Sequence, residues 1–588
     1  MGFRLAAIGL ALCTMRITAQ TVCGPTPQYS PCEIVFELSA ADLKQHPNPF
    51  ATVDISAEFR SPRHKTYLMP GYWDGGGRVI VRFSPTEAGE WDFRVTSNIA
   101  AYQGKTGIFS AKESDAPGFV RTANVHHFAY ENMQPHLWMG YDLKRFQFLD
   151  AATFRKIVDA RAEEKFTHIR GTLLGEEEDT RKAFPAPYQP DLSYFQHLDE
   201  CVRYIHQKGM TTDLALAAGL NQIVRAFPEW QQRERLVRYL VARYAAFNIT
   251  WAGVEHFENS SNTRDVLKEL GLALKKIDPY QHVRSTGTEG SSAGFSDDGW
   301  MDYVTQHSSD PAIGAIEHQL YPAAFVSTGF SAPGADADTF RHNLWSAAMN
   351  GQYVSATADP AASRADMKAF FEFFSKTRHW ELEPYFDVDG GRALALEDVE
   401  YIVYVDKGGP VEVTVEKHGY DVAWFNPVSG EFTKMKDFKG EHFTGEPPDR
   451  QHDWVLLISR EGHKESMRKS YKFDSRHILM QEIELNPQKI PFDVAEPSGD
   501  TLSLAAPVAF AAKLKRETHA TRSMLYLWTA EVVADNQGAR VVATGPKGTF
   551  RLPPDIAVHF PGGLHVRLAG MNANGKVYTL DRTYQLTQ

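Results

Sequence analysis

The sequence predicts a multidomain protein: an N-terminal β-sandwich, a central (β/α)8 barrel of the TIM type, and C-terminal β-domains. Three observations lead there. The chain has 588 residues, more than one hydrophobic core can organise. From about residue 120 to 384, strand-like runs alternate with helical periodicity, as in a barrel of parallel strands. On either side the texture is short alternating strands separated by turns, as in sandwiches.

Taken in order, residues 1–19 read as an export signal. Arg4 precedes the apolar run Leu5–Met15, with a plausible cleavage point after Ala19. That run is too short to span a bilayer, and no later segment has the roughly 20 apolar residues a membrane helix needs. Past the signal, Cys23 and Cys32 can close a short loop in an oxidising compartment, whereas Cys201 lies in a helical pattern and reads as a small buried residue. Residues 25–115 are expected to form the N-terminal sandwich: Phe50–Phe59, Val79–Phe83 and Trp91–Val95 alternate at period two around the turn Asp74-Gly75-Gly76-Gly77.

Residues 120–384 are the expected barrel. The candidate strands, first to eighth, are His136–Leu143, Thr167–Leu174, Thr212–Ala217, Ile249–Glu255, His282–Thr288, Met301–His307, Ala324–Phe330 and Gly351–Ala358. Helical spacing lies between several of them, for example at Leu192, Phe195, Leu198, Val202 and Ile205, but none is evident between the fifth and sixth. A dinucleotide-binding sheet is disfavoured, because Gly140-Tyr141-Asp142-Leu143 is no Gly-rich phosphate turn. Residues 385–460 read as a small β-domain, 459–470 as a charged linker and 471–588 as a second terminal sandwich. The formal net charge of −11 argues against nucleic acid as the main partner.

The candidate chemistry sits where barrel strands end. A mouth that hydrolyses glycosides needs two carboxyl groups, about 5–5.5 Å apart for retention and about 6.5–9.5 Å for inversion. Glu255 and Glu258 follow the fourth strand. Three residues apart, they would point to opposite sides if the strand continued, so at most one faces the mouth. Other candidates are Asp142 after the first strand, Arg170 on the second, and His307 and Asp310 after the sixth. Arg170 either steers a ligand or makes a salt bridge inside the barrel. Trp251 either floors a sugar subsite or fills the core, and Tyr321 is a further candidate binding residue. The run Glu176-Glu177-Glu178-Asp179 reads as a solvated acidic loop. His126-His127 has no third ligand at useful spacing, so no metal site and no cofactor are expected.

Residues 120–460 resemble the apiosidase-like family of glycoside hydrolases. The resemblance rests on Asn248-Ile-Thr-Trp251 with Phe257-Glu258, Ile277-Asp-Pro-Tyr280, Asp298-Gly-Trp-Met-Asp302, Ala315-Ile-Glu-His-Gln-Leu-Tyr-Pro322 and Phe340-Arg-His-Asn-Leu-Trp345. Thr86-Glu-Ala-Gly-Glu-Trp91 is similar to a module that often precedes such barrels. Trp424–Gly430 with Asp453-Trp454 is similar to a small β-domain, sometimes labelled collagen-binding, that follows them. The resemblance implies a (β/α)8 barrel with Glu258 as acid/base and a nucleophilic Glu in a Thr-Glu-Phe-like triplet on the seventh strand. This chain has Thr328-Gly329-Phe330 there. The expected function is a secreted glycoside hydrolase-like protein cleaving O-glycosidic bonds in a polysaccharide or its side chains. Glu258 would donate the proton, and a relocated carboxylate in the loop after the sixth strand, Glu317 before Asp310, would be its partner. The alternatives are a carbohydrate-binding pseudoenzyme, because of Gly329, and a structural cell-surface protein.

Overall fold

The computed structural model describes residues 23–259, 263–331, 334–356, 364–460, 480–503, 505–533, 538–551, 558 and 560–587. The proposed export signal and nearly all of the charged linker lie outside these residues. The chain divides into two compact units after Glu113.

In the first unit a five-stranded sheet faces a three-stranded one. Ile55–Arg60 alternates buried and exposed positions along its length, which is why one face of its sheet is apolar. Aromatic rings fill the space between the sheets: Phe59 stacks on Phe83 with centroids 3.9 Å apart, and Trp91 and Phe109 close around them. Cys23 and Cys32 form a disulfide.

The second unit starts with a hairpin, Val120–Ala123 with His127–Tyr130, and continues into the barrel. Seven parallel strands form one curled sheet: Met139–Asp142, His168–Leu174, Thr211–Ala217, Ile249–Trp251, Tyr303–Gln306, Ala324–Ser327 and Gln352–Ala356. They correspond to the first to fourth and sixth to eighth expected strands, and their order in the sheet is fourth, third, second, first, eighth, seventh, sixth. The expected fifth strand is not a regular one. Residues 282–288 nevertheless run between the two sheet edges: Ser285 N donates to Trp251 O at 2.9 Å, and Asp302 N donates to Arg284 O at 2.8 Å. Only a short 3-10 turn, Ala293–Asp298, separates this segment from the sixth strand. The fourth strand ends at Trp251, four residues earlier than expected, and a 3-10 turn at Phe257–Asn259 follows.

The second and third strands are buried along their whole length, as required of a parallel sheet covered by helices. Helix Leu192–Gln207 shows how the sequence makes that cover: it buries Phe195, Leu198, Val202 and Ile205 at helical spacing, with Cys201 among them, and Asp191 caps its first turn. The hairpin closes the N-terminal end of the barrel, where Phe128 packs with Trp138, Tyr303, Ala324 and Tyr353.

Residues 383–460 form an eight-stranded antiparallel sheet around Tyr401, Trp424 and Trp454. The last residues form a five-stranded and a three-stranded sheet, with Trp528 stacked on Phe510 between them. This terminal sandwich lies against the barrel's flank. Leu527, Ala569 and Met571 pack on Ile313, Ala315 and Ile316 of helix Pro311–Leu320. No helix among the described residues is long and apolar enough to cross a membrane.

Candidate active site

Strand register builds the mouth. Asp142 pairs in register with Arg170, Arg170 with Asp213, and Asp213 with Thr250. Residues in register on adjacent strands face the same side, so four neighbouring strands carry one polar row at one level. The row is knitted together: Arg170 Nη1 donates to Asp213 at 3.0 Å, and Thr250 Oγ1 donates to Asp213 Oδ1 at 2.8 Å. Tyr303 Oη, from the sixth strand, reaches the same carboxylate at 3.4 Å.

Glu255 enters this row from the segment after the fourth strand. Arg170 grips it with two bonds, Nε to Oε1 at 3.1 Å and Nη2 to Oε2 at 3.3 Å. A planar guanidinium matches a carboxylate in this bidentate way. Burial by itself pushes the Glu255 carboxyl up, but Arg170 and Lys144 outweigh it and hold the group below the usual range. Asp142 has the opposite fate. Burial, and then the negative charge of Glu255, push it up to about 7. Its Oδ1 is buried without a hydrogen-bond partner, and Lys144 lies 3.8 Å from Oδ2. His256 and His307 stand in the same electrostatic neighbourhood. Burial lowers both, with nearby Lys144 and Arg170 acting in the same direction. His307 Nδ1 is 3.1 Å from Thr328 Oγ1.

The structure thus brings together Asp142, Arg170, Glu255 and His307 of the residues singled out in the sequence. Asp213, Lys144 and His256 were missed. Asp213 carried a readable signal, since it sits inside the third strand, where a charge has no place except in the barrel lumen.

The other expected residues sit elsewhere. Glu258 is buried on the turn after the fourth strand. Its Oε1 accepts from Thr288 Oγ1 at 2.5 Å and from Glu289 N at 2.8 Å, while Oε2 has no hydrogen-bond partner. Burial raises its carboxyl. Glu317 is not in a loop but in helix Pro311–Leu320, fully buried. Its Oε2 accepts from Ser291 and Gln306, and burial pushes its carboxyl up to about 7. None of its described bonds reaches the mouth row. Asp310 caps that same helix through Ala312 N at 2.8 Å and also accepts from Thr544. Trp251 is completely buried with its indole bonded to Asp278 at 2.9 Å, so it has no face to offer a sugar. Tyr321 precedes the seventh strand, at the barrel end opposite the mouth. The acidic run at 176–179 is not a loop: Glu177, Glu178 and Asp179 make the first turn of helix Glu177–Ala183, where carboxylates suit the helix dipole.

Gly329 has a structural reason. A Cβ there would lie 2.2 Å from Ser308 N and 2.4 Å from His307 C. Both neighbours are backbone, which cannot swing aside. The chain after the sixth strand occupies the space in which a side chain at 329 would begin.

Residues 122–384 match the family model of the apiosidase-like catalytic domain. Residues 25–98 match a domain of unknown function (DUF5060), and residues 389–459 match the "Putative collagen-binding domain of a collagenase". No curated protein matches the chain. Among solved structures, a candidate glycoside hydrolase from Bacteroides vulgatus ATCC 8482 is 17% identical at a TM-score of 0.64, over 74% of this chain and 100% of that one. A family 5 glycoside hydrolase from the same organism is 13% identical at a TM-score of 0.51, over 62% of this chain and 97% of that one. At these identities the structures speak for the fold alone, while the family model speaks for the barrel's kind. Residues 122–384 thus combine the family match of an apiosidase-like catalytic domain with the fold of solved glycoside hydrolases.

Proposed function

We propose that the barrel mouth hydrolyses an O-glycosidic bond in a polysaccharide or its side chains, with Asp142 as proton donor and Glu255 as the ionised partner. The carrying observation is the contrast between two carboxyls of one polar row: Arg170 grips both oxygens of Glu255, whereas Asp142 Oδ1 is buried without a partner and burial pushes that carboxyl up. Paired carboxyls with opposed environments are how one site runs acid and base chemistry at neutral pH. Asp142 supplies the proton to the leaving oxygen from its unpartnered side. Glu255 then attacks the anomeric carbon or activates water. Arg170 is a positioning residue that fixes the Glu255 carboxylate and its charge. Glu258 is the rival donor, since burial raises it too. Its bonds from Thr288 and Glu289 N favour its ionised form, which makes it the poorer proton donor.

The test is hydrolysis of a glycan panel by wild type, Asp142→Asn, Glu255→Gln and Glu258→Gln. The proposal expects the first two variants to lose about 10²–10⁴-fold in kcat, the usual worth of a positioned acid or base, and the third to lose less than about tenfold. Full activity in Asp142→Asn, with collapse in Glu258→Gln, would return the donor role to Glu258.

A second reading is a carbohydrate-binding protein without turnover. The observation in its favour is Gly329, whose surroundings admit no side chain where the family places a nucleophile. Glycan binding by calorimetry, with no cleavage of any panel member, would select it. Export is likewise proposed, and the Cys23–Cys32 disulfide supports it, since such bonds persist in oxidising compartments.

A further inference from the structure

We infer that the end of the barrel opposite the mouth holds a divalent metal site built from His126, His318 and Glu383, with zinc the best-matched ion. The three residues come from three elements: the hairpin before the first strand, helix Pro311–Leu320, and strand Glu383–Tyr385 at the start of the following β-sheet. One ligand atom from each lies within 4.8 Å of the others. His126 Nδ1 is 3.0 Å from Glu383 Oε2, and His318 Nε2 is 3.3 Å from the same oxygen. Bonds of about 2.0–2.2 Å in tetrahedral geometry separate neighbouring donor atoms by roughly 3.3–3.5 Å. The two nitrogen–oxygen distances are within a few tenths of an ångström of that, and the two nitrogens lie within 4.8 Å of each other.

Hydrogen bonding alone leaves this cluster unbalanced. His126 Nε2 faces the Tyr321 carbonyl at 3.3 Å. A carbonyl only accepts, so this contact suits a proton on Nε2. With the proton there, Nδ1 turns a lone pair toward the Glu383 carboxylate, an arrangement that a cation between them relieves. This is also the second-shell arrangement of metal-binding histidines, whose far N–H donates to a carbonyl or carboxylate. An extra proton on His126 would balance that one pair but would leave His318 Nε2, which is buried and makes no hydrogen bond. One metal ion satisfies both nitrogens and the shared oxygen.

Two further features fit. Gly351, at φ +75°, keeps open the space beside His318 Nε2, because a Cβ there would lie 2.4 Å from that nitrogen. The other Glu383 oxygen meets His127 Nε2 at 3.2 Å, which holds the carboxylate in orientation. The Glu383 side chain is 25% exposed, so the cluster has a path to solvent. The metal would clasp the hairpin, helix Pro311–Leu320 and the first strand of the following sheet onto the barrel, a structural role separate from turnover.

The test uses the full chain, stripped with chelator and re-equilibrated with Zn²⁺ alone. Elemental analysis should give one zinc per chain, Tm should rise with Zn²⁺, and Co²⁺ should show the intense visible bands of a tetrahedral site. His318→Ala and Glu383→Gln should each lose the equivalent and the Tm response while keeping wild-type circular dichroism. Re-equilibrated wild type holding less than a tenth of an equivalent, with an unmoved Tm, overturns the inference without recourse to any variant. So does full zinc retention in a folded His318→Ala.

Discussion

The barrel carries a buried polar cluster at each end, and the two are balanced in different ways. At the mouth, Arg170 is a permanent cation held by Asp213 and Glu255. A third carboxyl, Asp142, has only the half-exposed Lys144 at 3.8 Å beside it, and burial with the charge of Glu255 pushes it up to about 7. At the opposite end, Glu383 meets three imidazoles instead, and burial drives His318 down to about 3, so that ring stays neutral. A fixed cation leaves a proton to be moved. A carboxylate shared by buried imidazoles offers donor atoms to a cation. The same ingredients, buried carboxylates with nitrogen partners, thus underlie both proposals, a proton donor at one end and a metal clasp at the other.

The sharpest way to break the mouth side is to remove its cation. Arg170→Met leaves Glu255 and Asp213 buried without their partner, and should cost about 3–5 kcal/mol in denaturant unfolding as well as the activity. A stable, active Arg170→Met would mean that the row is solvated and not the charge-balanced layer described here.

Gly329→Glu is next. It should destabilise by roughly 1–3 kcal/mol or fail to fold, because its first side-chain atom meets the backbone of 307–308. Calorimetry against wild type decides this. A stable variant with raised hydrolysis would instead favour a lost nucleophile on the seventh strand.

Glu317→Gln separates the flank from both clusters. Burial holds Glu317 protonated up to about 7, against an ordinary value near 4.5. A raised carboxyl contributes its stability fully below the unfolded value and loses it as pH climbs through 7. The neutral amide escapes that loss. The variant should therefore match wild type near pH 4 and exceed it by about 3 kcal/mol at pH 8. Its hydrolysis should stay within about threefold of wild type. Equal pH dependence of unfolding in the two proteins would mean that Glu317 ionises freely in the fold.

Much of this architecture was legible in the sequence, because runs such as Thr211–Ala217 and the helix spacing at Phe195, Leu198 and Val202 declare themselves by periodicity. The site was only half legible. Alternation allowed one of Glu255 and Glu258 to face the mouth, and the later one was preferred. The regular strand in fact stops at Trp251, and Gly253 at φ +56° turns the chain before either glutamate, so strand parity no longer applies. Helix Pro311–Leu320 escaped notice because it is apolar on both faces, packed by the sheet on one side and by the terminal sandwich on the other. With it went the true settings of Asp310, Glu317 and Tyr321. His126 and Glu383 are 257 residues apart, a separation at which no spacing rule can pair them.

The most direct measurement of the central claim needs no substrate. In pH-difference infrared spectroscopy, two buried carboxyls should lose their C=O bands as pH rises through about 7, one absent from Asp142→Asn and the other from Glu317→Gln. A wild-type spectrum identical to that of Asp142→Asn across this range would show that Asp142 is already ionised, and that the mouth has no proton to give.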